Sequence, residues 1–261
     1  MNFLHIRNAT SIITYADKKI LIDPFLSPKG SLPSVPTKYN DYKNPLVELP
    51  FKKEEIIKGI DAVIVTHMHH FDHFDNSAAE ILDKNIPIFT QNKNELLDMQ
   101  KLGFQDVRVL EEEGTNFDDI YIYKTYAEHG RGKAAEDNYT QRNIPGEASG
   151  FVLKNEKEKT IYFAGDTLLN KTVLSYIDKY SPEIIVLNAA RAEFYDGTPI
   201  LMGMEDLHFI QKYKPDASIV AVHLDAVNHA TVDREKLNAF VKKHNLSKNV
   251  FIPKDGEALS F

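Results

Sequence analysis

Short apolar stretches separated by polar turns open the chain. Residues 3–6, 11–15 and 19–22 are brief and rich in β-branched side chains, and Ala16, Asp17 and Lys18 form a polar turn, so the pattern predicts three strands. Asp23-Pro24 ends the third. Residues 27–50 are proline-rich and without clear period, which predicts a long loop of the kind often used as a lid or binding loop. Residues 61–66 (DAVIVT) are almost continuously apolar, as in a strand buried on both faces. A helix is predicted near 77–83, a strand at 87–90, a helix at 94–102 and a strand at 107–110. Residues 119–126 alternate and predict another strand, whereas 130–146 are polar and predict a second long loop. Residues 150–153 and 160–164 predict a strand pair. The last third alternates: helices at 169–180, 204–213 and 231–244, strands at 183–188, 218–223 and 250–252. No repeat or linker intervenes. The alternation predicts sheets in the middle and helices outside, within a single domain spanning 1–261.

Composition narrows the chemistry. The 261 residues are 43% hydrophobic and 26% charged, the balance of a globular protein. A net charge of −7 argues against a general nucleic-acid binder. There is no cysteine, which excludes disulfides, thiolate metal sites, Fe–S clusters and a cysteine nucleophile. Any transition-metal site must draw on the ten histidines and the carboxylates. No apolar run is long enough for a membrane-spanning helix, and the first residues lack a secretory pattern, so the expected location is the cytoplasm.

The informative segment is Thr66-His67-Met68-His69-His70-Phe71-Asp72-His73-Phe74-Asp75. Four histidines and two aspartates fall within nine residues directly after a buried strand. A rigid strand end can converge such side chains on a cation, and packing alone does not call for so many titratable groups there. Three further candidates also end strands: His129 after 119–126, Asp166 in Gly165-Asp166-Thr167 after 160–164, and His223 at the end of 218–223. Each alone has a bland alternative, such as a structural histidine or a helix N-cap. Their repeated placement at strand ends is what joins them.

Together these elements resemble the metallo-β-lactamase superfamily of metal-dependent hydrolases, over nearly the whole chain. The order is Leu21-Ile22-Asp23-Pro24, the Thr-His-x-His…Asp-His turn, His129, Gly165-Asp166-Thr167, His223 and the tail Ile252-Pro253-Lys254-Asp255-Gly256-Glu257. Within it the chain looks most like the branch that includes ascorbate-6-phosphate lactonase. The resemblance implies an α+β fold, a four-layer αββα sandwich with a dinuclear site along one edge of the sheets. It implies His67, His69 and His129 on a first metal, Asp72, His73 and His223 on a second, and Asp166 between them. Zinc is the expected ion, with manganese and iron as alternatives. The usual motif is His-x-His-x-Asp-His, and here it carries one extra residue. In one register the turn bulges and His67 and His69 remain ligands. In the other, His70, Asp72 and His73 keep the usual spacing and Met68 falls where the first histidine belongs. The first is preferred, because Thr-His-x-His directly follows the strand and a thioether is a poor ligand for such ions.

Two divalent ions about 3.5–4 Å apart lower the pKa of a shared water, and the metal-bridging hydroxide attacks a carbonyl or phosphoryl centre. The substrates this admits are small-molecule esters, lactones, amides and phosphodiesters. Beyond ligation, Asp72 is a candidate to orient the hydroxide, and His229, six residues after His223, a candidate proton donor to the leaving group. Arg131, Lys133, Arg142 and Arg191 are candidates to bind an anionic substrate. Tyr195 and residues 202–204 are candidates for an apolar wall, and Asp23 for support of the site. His5, His208 and His244 read as structural or exposed. Competing readings are a nuclease of the same superfamily, disfavoured by the charge, and a non-catalytic metal-binding protein. No membrane partner is expected, and a homo-oligomer stays open.

Overall fold

The computed structural model describes residues 1–261. Neighbouring residues of its apolar strands go to different layers. Ile20 and Ile22 join one core while Leu21 joins another, and the same split divides Ala62 and Ile64 from Val63 and Val65. In the second half Ile184 and Val186 part from Ile185 and Leu187, and Val220 and Val222 from Ile219 and Ala221. Such strands have to be covered on both faces, because successive side chains point opposite ways.

Two seven-stranded sheets meet this demand. The first has the order β14 (Ala258–Ser260), β1 (Asn2–Arg7), β2 (Thr10–Tyr15), β3 (Lys18–Ile22), β4 (Ala62–Ile64), β5 (Ile88–Thr90) and β6 (Val107–Val109). The second has β13 (Val250–Phe251), β12 (Ser218–Val222), β11 (Ile184–Asn188), β10 (Glu158–Phe163), β9 (Glu147–Asn155), β8 (Ile120–Glu128) and β7 (Thr115–Phe117). The sheets pack face to face through residues such as Phe3, Phe89, Phe151 and Phe163. Helices α1 (Lys53–Ile56), α2 (Asn76–Ile81) and α3 (Lys93–Lys101) cover the outer face of the first sheet through Ile56, Ala78 and Met99. Helices α4 (Gly132–Arg142), α5 (Lys171–Tyr180), α6 (Met204–Tyr213) and α7 (Arg234–Lys243) cover the second through Tyr139, Ile177, Ile210 and Val241. The result is the expected four-layer αββα sandwich. No helix is long and apolar enough to cross a membrane.

The long loop at 27–50 has no helix, yet it is fastened. The buried Arg7 guanidinium donates to the carbonyls of Phe25, Ser27 and Val47. Asn44 and Asn228 exchange amide hydrogen bonds, and Asn228 also brackets the backbone of Val35. The second expected loop is instead largely helix α4. Only Ala135 and Tyr139, four residues apart, are buried from it, so its sequence carries almost no amphipathic signal. The short elements α1, β7 and β14 also lay outside the expectation. β7 and β14 are edge strands of three residues, and their structure comes from pairing with β8 and β1.

Candidate metal centre

Strand direction brings the chemistry to one edge. β3 runs parallel to β4, and β10, β11 and β12 run parallel to one another. β8 is antiparallel to β9, which is antiparallel to β10, so β8 points the same way as β10. The carboxyl ends of β3, β4, β8, β10, β11 and β12 therefore open at the same side and deliver Asp23, His67, His129, Asp166, Asn188 and His223. Gly165 makes one of these exits feasible: its φ is +69°, and a Cβ there would lie 2.2 Å from the Ser149 carbonyl oxygen.

At that edge a carboxylate sits among four imidazoles. Asp166 Oδ2 is 3.1 Å from His73 Nε2, 3.5 Å from His129 Nε2 and 3.8 Å from His67 Nε2, and Oδ1 is 3.7 Å from His223 Nε2. Asp72 Oδ2 is 3.1 Å from His223 Nε2 and 3.9 Å from His73 Nε2. Three triads each bring their candidate ligand atoms within 4.8 Å of one another: His67, His70 and His129; His67, His73 and Asp166; and Asp72, His73 and His223. All of these residues except His70 are buried.

Surrounding groups aim the ligand atoms inward. Asp23 Oδ2 is 2.9 Å from His73 Nδ1 and also accepts from the Thr66 hydroxyl, while Asp23 Oδ1 accepts from the Thr66 backbone N–H, which leaves His73 Nε2 for the centre. The Ile200 carbonyl accepts from His129 Nδ1, and Pro145 accepts from His70 Nε2, leaving His70 Nδ1 3.3 Å from His129 Nε2. Asn188 donates to Asp166, and Asn8 donates to Asp72 while its carbonyl accepts from the His223 backbone. Such outer partners fix tautomer and ring orientation at metal sites.

A metal fits this donor set. His67 Nε2, His73 Nε2 and both ring nitrogens of His223 are buried without a hydrogen-bond partner, a costly state unless something else satisfies them. Burial pushes His67 and His70 below the ordinary imidazole value and His129 down to about 3, so all three offer a neutral lone pair. Burial also opposes charge on His73 and His223, but Asp166 and Asp72 outweigh it and raise both. In the same way the surrounding histidines overcome burial and hold Asp72 and Asp166 below the carboxylate range. The cluster thus calls for positive charge between its carboxylates, which a cation supplies.

His69 departs from the expected ligand set. It borders the cavity, but its Nε2 lies 3.6 Å from Asp98 on α3, away from the other histidines. His70 occupies the place expected of it, with its ring centroid 4.6 Å from that of His67 and 4.9 Å from that of His129. Neither register holds entire. His67 keeps its position after β4, His70 keeps the usual spacing to Asp72 and His73, and the extra residue is absorbed between them. The reason lies on α3, where the buried Glu95 accepts the Met68 N–H at 3.0 Å and Asp98 attracts His69.

Glu95 carries a stability consequence. Burial raises its carboxyl to about 7, against hydrogen bonds from Gln91 and Met68 that favour the charge. Between its ordinary value of 4.5 and about 7 the native chain binds more protons than the unfolded one, so stability falls as pH rises through that window. Full expression of the shift amounts to about 3 kcal/mol as an upper figure. Glu95→Gln keeps an acceptor for Met68 and removes the charge. It is expected to raise urea-unfolding stability at pH 8 by about 1–3 kcal/mol and to leave pH 4.5 nearly unchanged. Equal effects at the two pH values would contradict this account.

The cluster opens into a cavity of about 110 Å³, walled by Val35, Phe71, Tyr139, Ile144, Phe194 and Ile200 and by His229 and Arg142. Val35 comes from the 27–50 loop, which roofs the cavity. His229 is buried, its Nδ1 has no partner, and burial lowers it to about 4. Asp72 and His229, the two residues expected to act on substrate, therefore border the same space. Of the candidate anion-binding cations, Arg131 pairs with Glu128, Lys133 with Asp137 and Arg191 with Glu193, and only Arg142 borders the cavity. Tyr195 is exposed, while Met202 is buried in the α-helical layer. His5 is buried beside Asp255 and Arg234, far in sequence from the cluster. Asn8, Asn188, Asn228 and Glu95 were not singled out by sequence, since an isolated polar residue carries no local signature of its partner.

Comparison with known proteins identifies the family. The model of the Beta-lactamase superfamily domain matches residues 18–223. The UPF0173 protein YddR of Bacillus subtilis (strain 168) is 42% identical over 262 residues, covering the whole of both chains. The UPF0173 metal-dependent hydrolase MJ1163 of Methanocaldococcus jannaschii is 28% identical over 247 residues, covering 92% of this chain and 93% of its own. The crystal structure of an isothiocyanate hydrolase from Delia radicum gut bacteria superposes with a TM-score of 0.94 at 36% identity, covering 100% of this chain and 99% of that one. These matches carry the superfamily and not the narrower ascorbate-6-phosphate lactonase likeness. The chain belongs to the β-lactamase superfamily and is a metal-dependent hydrolase of it.

Proposed function

We propose that the chain, acting as one unit over 1–261, hydrolyses a small molecule at a dinuclear centre held by His67, His70 and His129 on one side and Asp72, His73 and His223 on the other. Asp166 lies between them. The observation that carries this reading is the Asp166 carboxylate within 3.1–3.8 Å of four histidine nitrogens, several of them otherwise unpartnered. Zinc suits the imidazole and carboxylate donors best, with manganese and iron as alternatives. Two bound divalent ions would supply a Lewis-acidic centre that acidifies water and polarises the electrophile.

The chain's own groups do the rest. Asp72 accepts a hydrogen bond from the incoming water and aims its oxygen at the electrophile. The neutral His229 takes the proton given up and returns it to the leaving group. Phe71, Tyr139 and Phe194 keep other water out, and the Val35 roof encloses the reacting end of the substrate.

The small, roofed cavity and the charge of −7 favour a small molecule over a nucleic acid. The substrate classes are esters, lactones, amides and phosphodiesters, and the likeness to the isothiocyanate hydrolase adds isothiocyanates. With an isothiocyanate, water adds to the central carbon, the nitrogen takes both protons and the C–N bond breaks, giving an amine and carbonyl sulfide. The cytoplasmic location expected from the sequence belongs to the same proposal. The test is metal analysis of the purified protein followed by a hydrolase panel of these five classes. About two ions per chain with turnover of at least one class is the expected result. Bound metal with no turnover would favour a non-catalytic role, and salt-dependent RNA or DNA binding would favour a nuclease.

A further inference from the structure

Four cations near the strand ends invite an anion, and their surroundings separate them. Arg131, Lys133 and Arg191 are each neutralised by a neighbouring carboxylate. Arg142 has no carboxylate within ion-pair distance. Its one hydrogen bond is a long one, 3.4 Å to the Pro36 carbonyl of the roofing loop. Its guanidinium lies over the Phe194 ring, 5.1 Å from the centroid, and borders the cavity with His229, Asp72 and Asp166. Half-burial lowers its proton affinity, and its charge in turn reaches His229. The bland alternative is an arginine ending a helix and facing the last carbonyls of α4. That role does not need the guanidinium held against an aromatic wall of the cavity. Apart from the long bond to Pro36, the in-plane N–H groups have no protein partner, and those N–H groups form the fork that suits a carboxylate or phosphoryl group.

We propose that Arg142 makes the cavity wall an anion-binding subsite, so that the substrate carries a carboxylate or phosphoryl group close to the bond that is cleaved. The inference rests on the hydrolytic reading for the word substrate, and its test is chosen to separate the two. In a cavity of about 110 Å³ the anionic group and the electrophilic centre sit only a few atoms apart. This narrows the class to small acids and their phosphorylated counterparts, and among isothiocyanates to those that bear such a group.

The experiment is calorimetric titration of the metal-loaded protein with butyrate and with succinate, which share one carboxylate end and differ at the other. The shared end meets the metal centre in both. Wild type is expected to bind succinate about tenfold or more tightly than butyrate, the effect of one charge-assisted pair. Arg142→Met is expected to bring the two within about twofold, with metal content and butyrate affinity unchanged, and Arg142→Lys to restore part of the difference. Equal affinities in wild type, or a preference that survives Arg142→Met, would overturn the proposal. Titration with 3-phosphonopropionate separates the sources: tighter binding than succinate assigns a phosphoryl group, weaker binding a carboxylate. Arg142-dependent succinate binding with no turnover anywhere in the hydrolase panel would sink the hydrolytic reading and leave the subsite standing.

Discussion

Replacing Asp166 with alanine is expected to remove at least one metal ion per chain and to lower turnover by about 10³-fold or more. No other carboxylate reaches as many of the centre's histidines. The two Asp166 oxygens reach His67, His73, His129 and His223, which come from both sheets. Without it each half of the cluster keeps three candidate ligands, but the negative charge that holds the halves together is gone. Asp166→Asn separates shape from charge: it preserves volume and the contact with Asn188 but cannot neutralise a cation, so it should bind metal nearly as poorly as alanine. Elemental analysis of gel-filtered protein gives the stoichiometry, and near-UV circular dichroism checks that the core is intact. A full metal complement in Asp166→Ala would remove the basis for a shared carboxylate at this centre.

The position of that carboxylate was readable in the chain because the fold concentrates chemistry where strands end. Apolar runs such as 61–66 and 183–188 mark buried strands, and a histidine or aspartate directly after one has little freedom to lie elsewhere. The αββα layering followed for the same reason: strands apolar on both faces need a helix on one side and a second sheet on the other. What the sequence did not disclose depends on distant partners. Helix α4 hides two inward residues among charges. β14 exists through its pairing with β1, more than 250 residues earlier. Asn8 reaches both Asp72 and the His223 backbone, and nothing local to Asn8 announces either. Likewise the four loop cations look equivalent along the chain, and only the carboxylates that meet three of them make Arg142 different.

The widened histidine motif gives the other large effect. His70→Ala is expected to lose metal from the His67 and His129 side and to lower turnover by about 10²–10³-fold, whereas His69→Ala should retain both ions and stay within about twofold of wild type. The two residues are adjacent and equally able to bind metal, and the sequence favours His69, because Thr-His-x-His directly follows the strand. Helix α3 reverses that preference. With Glu95 holding the Met68 N–H and Asp98 facing His69, the backbone turns so that His70 Nδ1 comes to 3.3 Å from His129 Nε2. Pro145 fixes the opposite nitrogen of His70, which a freely solvated side chain would not require. Metal stoichiometry and kcat/KM of the two variants, measured side by side, decide the matter. If His69→Ala lost the ion and His70→Ala kept it, the grip of α3 on the turn would have been given the wrong consequence, and the bulge would have to close over His69 once metal is bound.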